Sequence, residues 1–235
     1  MRPSPKPLFL LADSSPLYWR DGDRPFLHCL RTLTRVDPDV PPLRAAYLGA
    51  SNGDVPEFYE VFTGAMALAG ITACRMIPSR PTDEDRAWLS RAHVILLAGG
   101  DPQLGWETFR TNGVEPVLRA RHRDGAVLLG ISAGAMQLGT QAWSDPAPRE
   151  MALFPTLGLA PFIVGVHEQP EWTELKRALR AAGAGARGIG IPLGGCALVH
   201  PDGTLEPLRR PLADLRNDAG TLRETRLDPG PVSRW

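Results

Sequence analysis

The chain has 235 residues, of which 43% are hydrophobic and 22% are charged, and its formal net charge is +0. This length fits one domain of generous size. The composition argues against a disordered or fibrous chain. The zero net charge gives no global electrostatic reason to expect nucleic acid or an anionic membrane as a partner. We find no targeting signal or membrane span and expect a cytoplasmic location.

The three cysteines, Cys29, Cys74 and Cys196, are far apart and show no CxxC spacing. This pattern indicates free thiols rather than a disulfide framework or a zinc site. Metal-ligand spacing is absent elsewhere too, so the sequence predicts neither a metal nor another cofactor.

Short apolar runs alternate with longer amphipathic stretches in the first part of the chain. This alternation is typical of β-α-β units and predicts an α/β fold with a mainly parallel sheet flanked by helices. The predicted strands are Leu8–Ala12, Arg44–Gly49, Thr72–Ile77, His93–Ala98 and Ala126–Gly130. The predicted helices are Pro25–Arg35, Pro56–Ala69, Thr82–Ala92, Gln103–Arg110, Gly113–Arg123 and Ala133–Thr140.

The later part of the chain has a less regular pattern. A loop containing Asp145 leads to the predicted strand Phe162–Val166 and to a helix near Glu171–Ala182. Further strands are predicted around Gly188–Pro192, Cys196–His200 and Leu205–Leu208. We assign residues 1–208 to a single α/β domain. Residues 209–235, rich in Arg, Asp, Pro and Gly, are expected to form a surface or partly disordered tail.

The strongest local signal is the sequence VLLGISAGAM of residues 127–136. An apolar strand ends at Gly130 and a helix of small residues begins just after Ser132, which is the context that a G-x-S-x-G nucleophile turn requires. Glycines on either side allow a tight turn, because side chains there would collide with neighbouring backbone. Ser132 is therefore the candidate nucleophile, beside a helix N-terminus that favours developing negative charge. The structural alternative is a serine that caps a helix.

A second signal is the apolar run Val94–Ala98, which is followed by Gly99, Gly100 and Asp101. The backbone N–H groups of the glycine pair, together with that of Ala133, are candidate donors of an oxyanion hole. A plain β-turn before the next helix is the alternative.

The later segment Gly183–Gly188 matches G-x-G-x-x-G, but it follows a helix and enters a strand. This is the reverse of a dinucleotide fingerprint, so we interpret it as a connector.

The two glycine-rich segments resemble those of the S51 serine peptidases, the family of the aspartyl dipeptidases called peptidase E and of the cyanophycinases. The matching segments are Ala46–Asp54 with Phe58, Tyr59 and Phe62, then Leu97–Asp101, Gly130–Ala135, a histidine after an apolar strand, and Gly188–Pro192. The resemblance extends over roughly Leu8 to Leu208. It implies a flavodoxin-like sheet related to class I glutamine amidotransferases, with serine where those enzymes carry cysteine.

His167 is the candidate general base. It follows the predicted strand Phe162–Val166, and the carboxyl ends of strands are where parallel α/β folds place their sites. It also lies where the resemblance implies the catalytic histidine. A loop histidine without a role is the alternative. Each of the other histidines has a structural explanation in a helix, strand or hairpin; they are His28, His93, His122 and His200.

Two residues remain candidates for the acid that would orient the histidine. Asp145 lies near the place where the resemblance implies a triad aspartate, although it could also be a turn residue. Some family members are proposed to use a late glutamate instead, but Leu193 stands at that position here. This leaves Asp145 or an acid beside the base such as Glu168.

The substrate preference departs from that of peptidase E, where an arginine after the histidine is thought to hold the substrate aspartate. The stretch His167–Leu175 contains no arginine and three glutamates. Strict Asp-Xaa specificity is therefore doubtful unless Arg149, Arg177 or Arg180 folds into the site. Glu168 or Glu171 would instead favour a basic or free-amine group, or simply line the solvated first turn of a helix. The candidate substrate-binding residues are Asp101, Glu168 and Trp172.

We therefore expect a serine peptidase that cleaves an amide bond of a dipeptide or small peptide. Ser132 would attack the carbonyl, with His167 as base, and Asp145 would orient His167. Two alternatives stay open: an α/β-hydrolase esterase, and a non-catalytic amidotransferase-like module that binds a metabolite or a protein. The expected partner is a small peptide substrate, and assembly into a homo-oligomer is left open.

Overall fold

The computed structural model of the chain describes residues 4–34, 42–145, 147 and 150–230. Its strands are β1 (Leu8–Leu11), β2 (Arg20–Asp21), β3 (Arg24–Pro25), β4 (Arg44–Leu48), β5 (Ala73–Ile77), β6 (Val94–Leu97), β7 (Val127–Ile131), β8 (Gln141–Ser144), β9 (Ala152–Pro155), β10 (Ile163–Val166), β11 (Arg187–Ile191), β12 (Cys196–Val199), β13 (Leu205–Leu208), β14 (Leu212–Asp218) and β15 (Thr221–Leu227). Its α-helices are α1 (Cys29–Thr34), α2 (Pro56–Leu68), α3 (Asp83–Leu89), α4 (Pro102–Thr111), α5 (Val114–Arg123), α6 (Ala133–Leu138) and α7 (Thr173–Ala182). Single 3-10 turns lie at Ser15–Tyr18, Phe26–His28 and Ala50–Asn52.

The central sheet has seven strands in the order β13-β12-β1-β7-β6-β4-β5. The five strands from β1 to β5 in this order run parallel. Strands β12 and β13 add an antiparallel edge. The predicted α/β fold with a mainly parallel sheet flanked by helices is confirmed.

The central strands are buried on both faces, which explains why they appear in the sequence as continuous apolar runs. Side chains alternate between the two faces of the sheet along β1. Leu8 and Leu10 therefore pack in one core, and Phe9 and Leu11 pack in the other. The first core includes the apolar side chains of α4, α5 and α6. The second includes those of α1 and α2. The sheet therefore separates two apolar layers.

A second sheet has four strands in the order β10-β11-β14-β15, and it corrects the prediction for the end of the chain. A surface or partly disordered tail is expected at 209–235, and this is wrong for β14, which is a largely buried strand. Strand β15 is ordered but forms the edge of the sheet with mostly exposed side chains, while residues 231–235 lie outside the described part. The polar residues of β14 are paired inside the fold. Asp214 accepts two hydrogen bonds from the Arg187 guanidinium, each at 2.9 Å. The buried Asn217 amide donates to the carbonyls of Leu179 and Gly183.

Three other local predictions are refined by the structure. The helix expected at Pro25–Arg35 begins only at Cys29, because Pro25 is extended and a 3-10 turn follows it; Arg35 lies outside the described residues. Strands β8 and β9 pair with each other where only a loop is predicted. Helix α7 ends at Ala182 with Gly183 as its C-cap, and β11 begins at Arg187, so the Gly183–Gly188 segment leads from a helix into a strand, as expected.

The three cysteines are free, and Cys29 and Cys196 are buried. None of the helices in the described ranges is long and apolar enough to cross a membrane.

Helix α6 lies against the backbone of the central sheet. A Cβ at Gly134 would overlap the carbonyl group of Leu97 in β6, and a Cβ at Gly130 would overlap the backbone of Gly134. Both glycines of the G-x-S-x-G segment are therefore required by close approach of backbone to backbone. Because backbone cannot move aside as a side chain can, this contact fixes where α6 begins.

We predict that Gly134→Ala destabilises the fold by about 2–3 kcal/mol, because its methyl group meets main chain in a packed interior. Gly64→Ala is the matched control. Gly64 lies within α2, where the only atom within 4 Å of an added Cβ is the Tyr18 hydroxyl at 3.1 Å, and alanine favours the helix by roughly 0.5–1 kcal/mol. Thermal unfolding of both variants checks this. Equal Tm values would contradict the described packing of α6.

Candidate active site

The site lies where four neighbouring parallel strands end. Strands β1, β7, β6 and β4 are adjacent in the sheet, so their carboxyl ends meet at one edge. This edge is the usual position of ligand sites in open α/β sheets. Ser132 follows β7 directly, and its N–H donates to the carbonyl of Leu11 at the end of β1, at 2.9 Å.

Ser132 has a strained backbone, with φ 50° and ψ −112°. A positive φ costs a non-glycine residue about 1–3 kcal/mol and persists only where the surroundings impose it. Here the strand holds the Ser132 N–H, while the Ser132 carbonyl accepts from the N–H groups of Ala135 and Met136 in α6. Ser132 is therefore the single residue between the strand and the helix, in the tight turn that the sequence predicts.

His167 reaches Ser132 because the chain returns along α6. At the far end of α6 the Thr140 N–H donates to the carbonyl of Phe162, at 3.0 Å. Strand β10 then runs back toward the start of the helix, and the His167 N–H donates to Ile191 at 2.9 Å. The result is a distance of 2.9 Å between Ser132 Oγ and His167 Nε2.

This pair has the geometry of a hydroxyl and its base. With the imidazole proton on Nδ1, Nε2 accepts the Ser132 hydroxyl proton. A separation of 2.9 Å lies within the range required for proton transfer. The structure thus brings together the two residues predicted as nucleophile and base, although they come from different sheets.

Free backbone donors lie beside the hydroxyl. Within the described residues, the N–H groups of Gly100 and Ala133 donate no hydrogen bond, whereas the Asp101 N–H donates to Ser51 at 2.7 Å. Gly100 has a φ of 129° and would overlap the Ser51 backbone if it carried a Cβ. A Cβ at Gly99 would lie 3.3 Å from the Cβ of Ser132. The Gly99 N–H likewise donates no hydrogen bond within the described residues. All three predicted oxyanion-hole residues therefore lie at the serine.

Gln137, which the sequence analysis missed, connects these segments. It is 0% exposed, and its Nε2 donates to Ser51 Oγ and to the Pro102 carbonyl, each at 3.0 Å. The amide thereby ties α6 to the 3-10 turn after β4 and to the first residue of α4. The available signal was a polar residue in the apolar helical segment AGAMQL.

Two cavities meet at Ser132 and His167. One, of about 310 Å³, is mainly apolar, and we call it the apolar cavity. The other, of about 680 Å³, is the acidic cleft, because its lining includes Asp101, Asp145, Glu168 and Glu174 and, within the described residues, no lysine or arginine. Gly100 lines both cavities as well.

Comparison with known proteins identifies the family of the chain. The model of peptidase family S51 matches residues 45–206. The chain belongs to peptidase family S51. No curated protein sequence matches it.

Two solved structures show the same fold. A peptidase from an acI-B1 Actinobacterium is 16% identical, with a TM-score of 0.71, covering 98% of this chain and 97% of that one. A putative peptidase E protein from Listeria monocytogenes EGD-e is 14% identical, with a TM-score of 0.61, covering 88% of this chain and 99% of that one.

The two candidate acids of this S51 chain have different environments. Asp145 lines the acidic cleft with His167, and its carboxylate lies 3.9 Å from the Arg177 guanidinium. Glu168 accepts hydrogen bonds from the N–H groups of Glu174 and Leu175 at 2.9 and 3.1 Å. Burial raises the pKa of Glu168, although these two donors oppose the shift. In the described part of the chain, no carboxylate is hydrogen-bonded to His167.

The other predicted substrate residues have structural roles. Asp101 lines the acidic cleft, and one of its carboxylate oxygens caps α4 by accepting from the N–H groups of Gln103 and Leu104. Trp172 is 5% exposed and lines neither cavity at Ser132. Its indole packs on the backbone of Gly190. The structure therefore places Trp172 in the core of the second sheet, outside both cavities at Ser132.

Among the described residues, no arginine side chain lines either cavity at Ser132. Arg177 is paired with Glu174 at 2.5 Å, next to Asp145. Arg180 is exposed, and Arg149 lies outside the described residues. In the same described part, no group of three or more His, Cys, Asp or Glu side chains is arranged to hold a metal ion.

Proposed function

We propose that the chain is a serine peptidase whose nucleophile is Ser132 and whose general base is His167. The observation that carries this proposal is the 2.9 Å separation of Ser132 Oγ and His167 Nε2, beside two unpaired backbone N–H groups. A serine that only capped a helix would not need a base at its hydroxyl. The strained backbone of Ser132 supports the same interpretation.

The reaction follows from these atoms. Ser132 Oγ attacks the carbonyl carbon of the scissile amide while His167 Nε2 takes the hydroxyl proton. The carbonyl oxygen becomes negatively charged and is stabilised by the N–H groups of Gly100 and Ala133. The protonated His167 then gives its proton to the leaving amine, which departs. Water attacks the acyl-serine in the same manner and restores the free hydroxyl.

Asp145 is the acid that we assign to His167. Both carboxylate oxygens of Glu168 accept N–H groups of α7, so turning that carboxylate toward the imidazole would unpair the start of the helix. Asp145 has no such commitment, and its side chain is 55% exposed. A rotation of this side chain on substrate binding would allow it to accept the Nδ1–H.

The substrate class is a dipeptide or small peptide. Two cavities that share Ser132 and His167 in their linings, of about 310 and 680 Å³, provide room for short groups on both sides of a scissile bond. The acidic cleft repels carboxylates, so we propose that it takes a neutral or cationic side chain of the leaving residue, with the C-terminal carboxylate of a dipeptide directed out of the cleft into solvent. An Asp-Xaa preference of the peptidase E kind is not part of this proposal.

The first test uses Ser132→Ala and His167→Ala. We expect each to lower the cleavage rate of a dipeptide panel by roughly 10³-fold or more. Ser132→Ala should also abolish labelling by a serine-directed phosphonate. Liquid chromatography with mass spectrometry of the released amino acids and of the labelled peptide gives both readouts.

The matched controls are Ser90→Ala and His28→Ala, which remove the same side-chain types at exposed positions. Both controls should retain activity and labelling. If the parent protein neither cleaves any dipeptide nor is labelled at Ser132, the non-catalytic binding module becomes the better interpretation. Labelling at Ser132 with cleavage of esters but not of amides would favour the esterase.

The second test separates the two acids by what each variant changes. Asp145→Asn should lower kcat by roughly tenfold or more, because the imidazole loses its orienting acid. Glu168→Gln should leave kcat within about twofold but lower Tm by about 2–4 °C, because a partner of the α7 N-terminus is weakened by roughly 1 kcal/mol. The reverse pattern, with kcat lost in Glu168→Gln alone, would assign the orienting role to Glu168.

A further inference from the structure

We propose that the apolar cavity binds the N-terminal residue of the substrate, taking a large aliphatic or aromatic side chain, with Asp13 holding its free α-ammonium. This inference rests on the proposed function, since it concerns the residue whose carbonyl Ser132 attacks. It adds a side-chain preference and an anchoring residue to that function.

The walls of the cavity are apolar and firmly packed. Tyr47 and Phe62 lie 5.4 Å apart between ring centroids, and Leu17 and Phe62 are each 1% exposed. Leu96 of the central sheet forms part of the same wall. These side chains belong to the core, so the cavity is a preformed recess and not a gap between mobile loops.

The mouth of the cavity is apolar as well. Phe58 and Val61, one helical turn apart on α2, line the cavity and are 53% and 36% exposed. Large apolar side chains in solvent at the edge of a recess are typical of a binding site. The Tyr18 hydroxyl donates to the Val61 carbonyl at 2.6 Å, which holds the Ser15–Tyr18 turn against α2 at this mouth.

The size of the cavity fits one large side chain. A closed apolar cavity of about 150 Å³ holds a benzene molecule. The apolar cavity, at about 310 Å³, therefore has room for an isobutyl or benzyl group together with the backbone of its residue. Alanine would leave most of the apolar wall in contact with water, and a carboxylate would lose its hydration there.

Asp13 provides the charge. It lines the same cavity as Ser132 and follows Leu11, whose carbonyl accepts the Ser132 N–H, by two residues. Its carboxylate accepts from the Ser15 and Gly194 N–H groups, at 2.8 and 2.5 Å. Burial by itself would raise the pKa of Asp13, but these bonds, the Ser15 hydroxyl and the charge of Arg209 outweigh it and lower the pKa.

The carboxylate is thus fixed and ionised, and it keeps lone pairs for a further donor, since two oxygens offer about four acceptor positions. A free peptide presents such a donor in its α-ammonium. The ammonium nitrogen and the carbonyl carbon of the N-terminal residue are both bonded to the same Cα. The ammonium and the side chain of one residue would therefore enter the same cavity while its carbonyl faces Ser132. An N-acetylated residue would offer no charge to Asp13.

The test compares dipeptides that share the leaving group alanine: Leu-Ala, Phe-Ala, Ala-Ala, Asp-Ala and N-acetyl-Leu-Ala. We expect kcat/KM for Leu-Ala or Phe-Ala to exceed that of Ala-Ala by roughly tenfold or more. Asp-Ala and N-acetyl-Leu-Ala should be cleaved more slowly still. Released alanine is measured by mass spectrometry.

Two variants examine the walls and the anchor separately. Val61→Trp narrows the mouth and should lower kcat/KM for Leu-Ala and Phe-Ala by roughly tenfold, while Ala-Ala changes by about twofold or less. Leu68→Trp, on the same helix but away from the cavity, is the control and should change none of the rates. Asp13→Asn should bring kcat/KM for Leu-Ala down to that for N-acetyl-Leu-Ala.

The outcomes distinguish this inference from the proposed function. Absence of Ser132 labelling and of all cleavage would overturn both. Labelling at Ser132 with equal or faster cleavage of Asp-Ala or N-acetyl-Leu-Ala, or with no cleavage of Leu-Ala and Phe-Ala, would overturn this inference alone. An equal loss for every substrate in Val61→Trp would also contradict it.

Discussion

The contact between the backbone of α6 and the backbone of β6 is the constraint on which the site depends. Gly134 leaves no space for a side chain over the Leu97 carbonyl, so the helix begins as close to the sheet as main chain permits. The preceding residue must then turn sharply, and Ser132 takes a positive φ of 50°. That turn directs the hydroxyl to the carboxyl edge of the sheet and leaves the Ala133 N–H unpaired beside it. One steric requirement thus sets the position of both the proposed nucleophile and one proposed oxyanion donor.

The position of the proposed base depends on a different part of the fold. His167 follows β10, which belongs to the second sheet and not to the central one. That sheet is completed by β14 and β15, and the Arg187–Asp214 ion pair joins β11 to β14. The position of the imidazole therefore rests on residues near the end of the chain. The site is assembled between two sheets that α6 connects. Ser132 lies at the start of α6, and the strand that leads back to His167 begins near the far end of α6.

The strands, helices and turns that are encoded by local sequence patterns could be predicted from the sequence. Thr82 at the start of α3, with Asp85 three residues later, forms the capping box that marks a helix start. The apolar runs of β6 and β7 and the small residues around Ser132 likewise place the strands, the turn and the donors. His167 is found because strand ends collect active-site residues, a rule of topology that applies even though its strand lies in another sheet.

Pairing between distant residues explains what the sequence does not reveal. Asp214 and Asn217 are polar residues of the kind found in a solvated tail. Their hydrogen bonds to Arg187, Leu179 and Gly183 allow β14 to be a buried strand. Glu168 is adjacent to the base in sequence, yet its carboxylate is directed to α7. Asp13 lies far from Ser132 along the chain and becomes a neighbour only because β1 and β7 pair. No spacing in the sequence carries that information.

The most direct measurement of the central claim is a crystal structure of the protein after reaction with an aminophosphonate ester derived from leucine. The account predicts a bond from phosphorus to Ser132 Oγ, with His167 Nε2 still beside that oxygen. One phosphonyl oxygen should accept from the N–H groups of Gly100 and Ala133 at about 2.7–3.1 Å. An adduct on another residue, or a phosphonyl oxygen in solvent with both N–H groups still unpaired, would contradict it.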